Sequence, residues 1–254
     1  MFPPNFYLPK PVNIRGDLDR LKFPLIAMPD LPGVRFCTAF SGERVTAFDQ
    51  RLRKIEHPLV QDFVNNFHAG FEGVLWFTDP SLDNDDIFTV KTLNFTLTDD
   101  WFSHIDTTED RLKFTEESVN IIKDRITGKY PNINLEVIPS FFVTDLDDAL
   151  SIHHTNYGQW GCGTLFKHPD ADYFTGKETL RLDPFSKGVA RIVEISYREN
   201  TLTLDSLDFG LFIVPYNLQT GRKKLLGGEI IFTFLNQHGN PKPVYARIFE
   251  EPED

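Results

Sequence analysis

The chain holds two cysteines and two methionines in 254 residues. So few thiols exclude a disulfide scaffold, and Cys37 and Cys162 stand far apart with no Cys-x-x-Cys spacing, which excludes a structural zinc ribbon or finger. Both read as small buried apolar residues in a reducing compartment. No apolar run approaches the roughly 20 residues of a membrane span. The opening Met1-Phe2-Pro3-Pro4 lacks a basic segment followed by an apolar one, so no signal peptide is read and a cytoplasmic location is expected. There is no G-x-x-x-x-G-K-[ST] phosphate loop, no G-x-S-x-G elbow, no internal repeat and no low-complexity tract. The seven histidines are dispersed, and His153-His154 has no third ligand nearby in sequence.

Positive charge is also short. Lys and Arg number 26 against 37 Asp and Glu, a net charge of −11. Residues 190–254 carry seven Lys/Arg against nine Asp/Glu, and the remainder nineteen against twenty-eight. Nucleic-acid binding draws its affinity from Lys and Arg placed on phosphates. Neither part has the basic excess of a nucleic-acid footprint, and the plain reading is a solvated acidic surface.

What is abundant is phenylalanine, with 24 copies, enough for a well-filled aromatic core. An extended Pro- and Asn-rich arm runs to about Arg20. Leu25–Ala27 and Val34–Phe40 read as strands joined by a turn at Pro29–Gly33. Leu59, Phe63 and Phe67 mark one face of a short helix ending near Gly70. Val74–Phe77 is a strand, and Asp79–Asp86 an acidic loop. Thr107 with Asp110 signals a helix start, and that helix carries Val119, Ile122 and Ile126 before stopping near Gly128. Thr144 with Asp147 opens another short helix through Leu150. From Thr164 the pattern turns to strands, with a boundary near Pro184–Gly188. After it, Glu229–Leu235 and Val244–Phe249 flank a hairpin signal, and the short strands suggest a small antiparallel barrel.

The stretch Lys22 to Arg35 resembles the active-site strand and turn of the ATP-dependent DNA ligases, whose K-x-D-G-x-R follows an apolar run. Gly33 and Arg35 keep the frame. Asp30 stands at the nucleophilic lysine and Pro32 at the aspartate. Asp49 and Gln50 replace a serine–arginine pair, while Arg53 keeps a nearby positive charge. Gly70 to Leu75 follows the family's D-G-E-L strand with Val74 for the glutamate. Phe95 to Asp99 resembles its F-D strand, keeping Asp99 but with Thr98 for the phenylalanine. Gly161 to Lys167 resembles G-E-G-x-x-x-R with Cys162 for the glutamate. Tyr173 to Lys177 is similar to Y-x-x-G-R. Leu180 to Phe185 is similar to L-K-x-K-P-F, with Arg181 retained and Asp183 reversing the second charge. The order and spacing cover nearly the whole chain from about residue 8.

The resemblance implies an α+β fold. A nucleotidyltransferase domain (ATP-grasp-like ligase adenylation type) is expected over residues 1–186, and a small β-barrel OB-fold domain over 187–254. It also implies lost chemistry. Self-adenylation needs an amine nucleophile, a divalent cation and positive charge around the triphosphate. A carboxylate in place of an ammonium at 4 Å reverses an interaction of about 4 kcal/mol at an effective dielectric near 20. Val74 and Cys162 remove oxygen ligands of the kind Mg²⁺ prefers and suit a cleft closed into core. No catalytic residue and no cofactor is therefore expected. The expected role is a catalytically inactive, ligase-like accessory subunit of a replication, transcription, repair or defence complex, contacting a protein partner, with no membrane association. If the gene is viral, as small ligases of this type suggest, the compartment is the host cytoplasm. Two alternatives stay open. Arg35, Arg53, Lys167, Lys177 and Arg181 could form a phosphate-binding patch for nicked or duplex DNA, or Lys22 or Lys54 could serve an active ligase as a displaced nucleophile. A minor reading joins the Asp79–Asp86 loop and the Glu250–Asp254 tail into a DNA-mimicking face.

Overall fold

The computed structural model describes residues 2, 6–78, 92–101, 105–174, 178–216, 226–235 and 242–250. The Asp79–Asp86 loop, Lys177 and the tail beyond Glu250 lie outside them. Elements are numbered in chain order. One sheet runs β1 (Val12–Asn13), β10 (Leu180–Leu182), β9 (Gly163–Lys167), β2 (Leu25–Asp30), β8 (Phe141–Val143). A second runs β4 (Arg44–Asp49), β3 (Val34–Ser41), β5 (Phe71–Thr78), β6 (Thr92–Asp100), β7 (Ile133–Val137). The third is antiparallel: β13 (Gly210–Pro215), β12 (Thr201–Ser206), β11 (Ser186–Ser196), β14 (Glu229–Leu235), β15 (Val244–Glu250).

Strand β2 is an apolar run without alternation because both its faces are covered. Leu25 and Ala27 join the core under helix α3 (Leu146–Trp160), and Ile26 and Met28 pack with Leu112 and Ile138 on the opposite face. The turn after β2 does not fold β3 back beside it. β2 and β3 belong to different sheets, so Pro29–Gly33 is a crossover between layers and not a hairpin. Gly33 is required there. Its φ is +150°, and a Cβ would lie 2.4 Å from the Leu75 carbonyl oxygen.

The second sheet is backed by α1 (Pro58–Val64) and α2 (Thr108–Ile126). Five of the abundant phenylalanines, Phe36, Phe63, Phe67, Phe71 and Phe95, fill this layer with Val119 and Ile122. Helix α2 starts as its sequence signals: the Thr107 hydroxyl accepts from the Asp110 amide and donates to the Asp110 carboxylate. Helix α3 differs from expectation. Its cap is Asp145, whose carboxylate accepts from the Asp148 amide, and it runs through Trp160 before the left-handed Gly161 ends it. Buried Ala149, Leu150, His153 and Asn156 continue its inner stripe past Leu150. Polar residues on that stripe, hydrogen-bonded inside, hid the second half of the helix from a hydrophobic pattern.

In the third sheet Ala190, Ile192, Leu202, Leu204, Phe212, Val214, Ile230 and Phe232 point inward at the two-residue period of strands. The long β11 pairs with β14 through Arg191 and with β12 from Arg191 onward, with a bulge between Ile192 and Glu194. That bend curls the sheet into a small barrel. Phe185, Leu235 and Tyr245 pack together with residues of the first sheet, seating the barrel beside it. Gly163 opens β9 under tight constraint: an added Cβ would meet the Leu182 backbone oxygen at 2.2 Å. Gly163→Ala must therefore part β9 from β10, and a loss of about 1–3 kcal/mol is expected in urea denaturation. An unchanged midpoint would show that the two strands separate freely.

Candidate functional site

A cleft of about 260 Å³ lies between the first two sheets. Met28 and Asp30 on β2, with Leu165 and Lys167 on β9, form one wall. Arg35 on β3, Glu72 and Val74 on β5, and Thr98 and Asp99 on β6 form the other. Thr108 and Arg111 from α2 and the segment Ala171–Phe174 close the back. The N-terminal arm supplies Tyr7, Pro9, Lys10 and Pro11. That arm is pinned at both ends. Phe6 and Leu8 bury with Cys37, Ala39 and Trp101, and β1 adds in parallel to β10.

Each cationic group on the cleft walls has a carboxylate partner, apart from exposed Lys10, for which no such pair is seen among the described residues. The innermost set is Asp99, Arg111 and Lys167. Arg111 Nε and Lys167 Nζ both donate to Asp99, each at 2.7 Å. Burial alone would push the Asp99 carboxyl up, but Lys167 and Arg111 outweigh it and hold it below the ordinary carboxylate range. Arg111 completes its fork on the Asp106 and Ala171 carbonyls at 3.0 Å and on the Thr108 hydroxyl at 3.2 Å. The second set is Arg35, Glu72 and Tyr173. Arg35 is ion-paired with Glu72 and donates to the Pro9 carbonyl at 2.9 Å, while the Tyr173 hydroxyl donates to Glu72 at 2.6 Å. Glu72 raises the guanidinium pKa of Arg35. Burial, with Glu72 and Asp99 adding, raises that of Tyr173 well above its ordinary value. The third set is at the cleft edge, where Arg181 Nε lies 2.8 Å from Asp30 and 3.2 Å from Asp183. Burial raises the Asp30 carboxyl against the pull of Arg181 and Arg35.

Of the residues singled out in the sequence, Asp30, Val74, Arg35 and Lys167 line the cleft. Arg181 reaches it through Asp30, and Asp183 sits beside Arg181 with Asn13 donating to it. Cys162 is buried off the cleft. Its sulfur lies 3.8 Å from the Asn156 carbonyl oxygen, and burial, with Asp30 adding, pushes its thiol up to about 11. Arg53 is not brought to the site: it is exposed and ion-paired with Asp49 at 2.6 Å. Neither Lys22 nor Lys54 lines the cleft. The expected closure into core is also corrected. Val74 is buried on the wall, yet the space between the sheets remains open.

Three site residues were given no role from the sequence. Glu72 lies two residues before Val74, and strand alternation puts both on one face. Arg111 occupies the stripe Arg111, Thr115, Val119, Ile122, all buried, so a charge at its head is a sign of a buried partner. Tyr173 was matched to the tyrosine of Y-x-x-G-R but given no role, since nothing in its spacing pointed to Glu72. Glu72 and Asp99 have carboxylate oxygens toward the cleft, but Tyr173, Arg35, Arg111 and Lys167 already occupy them. Among the described residues no cluster of three or more His, Cys, Asp or Glu is placed to hold a metal ion, and no helix is long and apolar enough to cross a membrane.

No protein-family model matches the chain, and no curated protein matches it in sequence. Solved structures do match. Chlorella virus DNA ligase-adenylate aligns over 97% of this chain and 99% of its own, with a TM-score of 0.64 and 11% identity. The ligase domain of M. tuberculosis LigD aligns over 95% and 94%, at 0.54 and 13%. The ATP-dependent DNA ligase of bacteriophage T7 aligns over 92% and 93%, at 0.51 and 13%. The fold is that of these ligases: an α+β nucleotidyltransferase unit followed by an OB barrel.

Proposed function

We propose that this chain uses a DNA-ligase scaffold without nucleotidyl transfer, as a binding subunit of an assembly that handles nucleic acid. The observation that carries this reading is the pair Asp30–Arg181. At the position where the resemblance puts the nucleophilic lysine, a carboxylate forms an ion pair at 2.8 Å with Arg181, which the resemblance places among the phosphate-binding groups. The substitution therefore removes the nucleophile and occupies a phosphate contact at once. Arg35 is likewise paired with Glu72, and Lys167 with Asp99, a carboxylate that the resemblance counts as kept, so the reading rests on Asp30–Arg181. A polyphosphate would have to break these pairs before gaining anything from their cations. The network also argues against the DNA-binding alternative, because Arg35, Arg53, Lys167 and Arg181, the four of its cations among the described residues, are each paired with a carboxylate.

The test is intact-mass spectrometry after incubation with ATP and Mg²⁺. The expected result is an unshifted mass. An adenylyl adduct would overturn the proposal, and peptide mapping would then locate it. Lys10 and Lys167 are the two lysines that line the cleft among the described residues. Lys167 is held by Asp99, so an adduct on Lys10 would establish a nucleophile displaced onto the arm.

A further inference from the structure

We propose that the free edge of β8 and the groove beside it receive an extended segment of a partner protein, with basic residues flanking a large apolar anchor. This rests on the reading of the chain as a binding subunit and names the surface and the chemistry of the partner. Among the described residues β8 pairs on one side only, with β2. Its sequence is Phe141-Phe142-Val143. Val143 is buried, but Phe141 is 39% and Phe142 57% exposed. Such an edge presents unpaired backbone donors and acceptors. Soluble proteins usually blunt such an edge by keeping it short or with lysine, proline or a bulge; β8 is short, at three residues, but carries no lysine, proline or bulge. Beside it lies a groove of about 700 Å³, lined by Ile26, Leu112, Ile138 and both phenylalanines. A groove with apolar walls and a charged rim, set against an open strand edge, is the arrangement that accepts an added strand, with backbone bonds supplying affinity and side-chain pockets specificity.

The rim gives the sign of the occupant. Glu109, Lys113 and Glu116 of α2 line the groove. The Lys113 ammonium is held by Glu109 at 2.9 Å and Asp110 at 3.9 Å, and the exposed Glu116 has no ion pair among the described residues. Beyond the other end of β8, Asp147 and Asp148 open α3 and are exposed. A basic segment complements this rim. A second copy of the chain would bring the same acidic rim against itself. Nucleic acid would meet the same repulsion and has no strand to add.

The experiment is fluorescence anisotropy with the full chain and three labelled peptides of about eight residues. One alternates lysine with phenylalanine or leucine, one has glutamate for lysine, and one repeats the basic sequence with alternate backbone nitrogens methylated. The basic peptide should bind at least about tenfold more tightly than the other two. Phe142→Asp and Glu116→Lys should each weaken it by about tenfold or more. Both positions are exposed, and an unchanged melting curve confirms that these variants fold. Equal affinity for the basic and acidic peptides, or binding indifferent to Phe142→Asp, would overturn the proposal. A dimer converted to monomer by Phe142→Asp would also overturn it, by placing a second copy on the edge. The intact-mass assay is independent: an adenylyl adduct would refute the non-catalytic reading and leave the peptide result to stand or fall alone.

Discussion

Arg111→Met is expected to lower the stability of the fold by about 3–5 kcal/mol, the range found when one partner of a buried ion pair is removed. Arg111 is 2% and Asp99 1% exposed, so neither charge has water to fall back on. Methionine matches much of the volume but none of the donors. It would leave the Asp106 and Ala171 carbonyls and the Thr108 hydroxyl without the guanidinium and Asp99 with Lys167 alone. The same side chain ties the first turns of α2 to β6 and to the segment after β9, so the back of the cleft should loosen with it. The double variant Arg111→Met with Asp99→Leu should recover much of the loss, because replacing both charges by apolar groups is often nearly neutral. Lys167, 15% exposed, can then turn its ammonium toward water. Urea denaturation of the single and double variants gives the coupling energy directly. A single-variant loss below about 1 kcal/mol would mean that Asp99 does not depend on Arg111.

How much of this was legible in the chain follows from what each residue does. The apolar run of β2, the short strands of the barrel and the capping threonine of α2 are local signals, and each folds as its pattern says. Gly33 was legible as a turn residue that keeps the motif frame, and the structure gives the reason, a backbone oxygen standing where its Cβ would be. The sheet assignment of β2 and β3 was not legible. Pairing depends on which distant strand fills the edge, and β9 and β8 take the places beside β2. The charge reading was partly right and partly incomplete. Asp30 and Asp183 were visible as reversals, but reading them one by one made the site look repulsive. In space they flank Arg181, and Glu72 and Asp99 do the same for other cations, so the cleft is a set of paired charges. Long-range pairing of this kind leaves no trace at sequence spacing, except where a charge such as Arg111 interrupts a buried stripe.

The second large effect is a loss of stability on mild acidification, centred on His153. The side chain is fully buried on α3. Its Nδ1 lies 2.9 Å from the Thr164 hydroxyl oxygen, which accepts from the Asn156 amide at 2.9 Å, and its ring packs 4.5 Å from that of Phe185. Among the described residues Nε2 has no hydrogen-bond partner, so a proton added to the ring would bring an unsolvated charge. Burial first, and then His154, lower its pKa from 6.5 to about 4, with Asp183 opposing. The sign follows from which state holds the proton. Below pH 6.5 the unfolded chain takes up a proton that the folded chain refuses until about pH 4. Stability is therefore complete above that window and declines through it as pH falls, by about 3 kcal/mol in all. Buried carboxylates such as Asp99 lose their contribution only at lower pH, because their folded pKa is depressed below the carboxylate range. His153→Asn places an amide where Nδ1 meets Thr164 and removes the titration. Denaturation at about pH 7 and about pH 4.5 should show a wild-type difference that shrinks by about 2–3 kcal/mol in the variant. Equal differences in both proteins would show that His153 accepts its proton inside the fold, and that the packing of α3 against Thr164 and Phe185 is looser than these distances state.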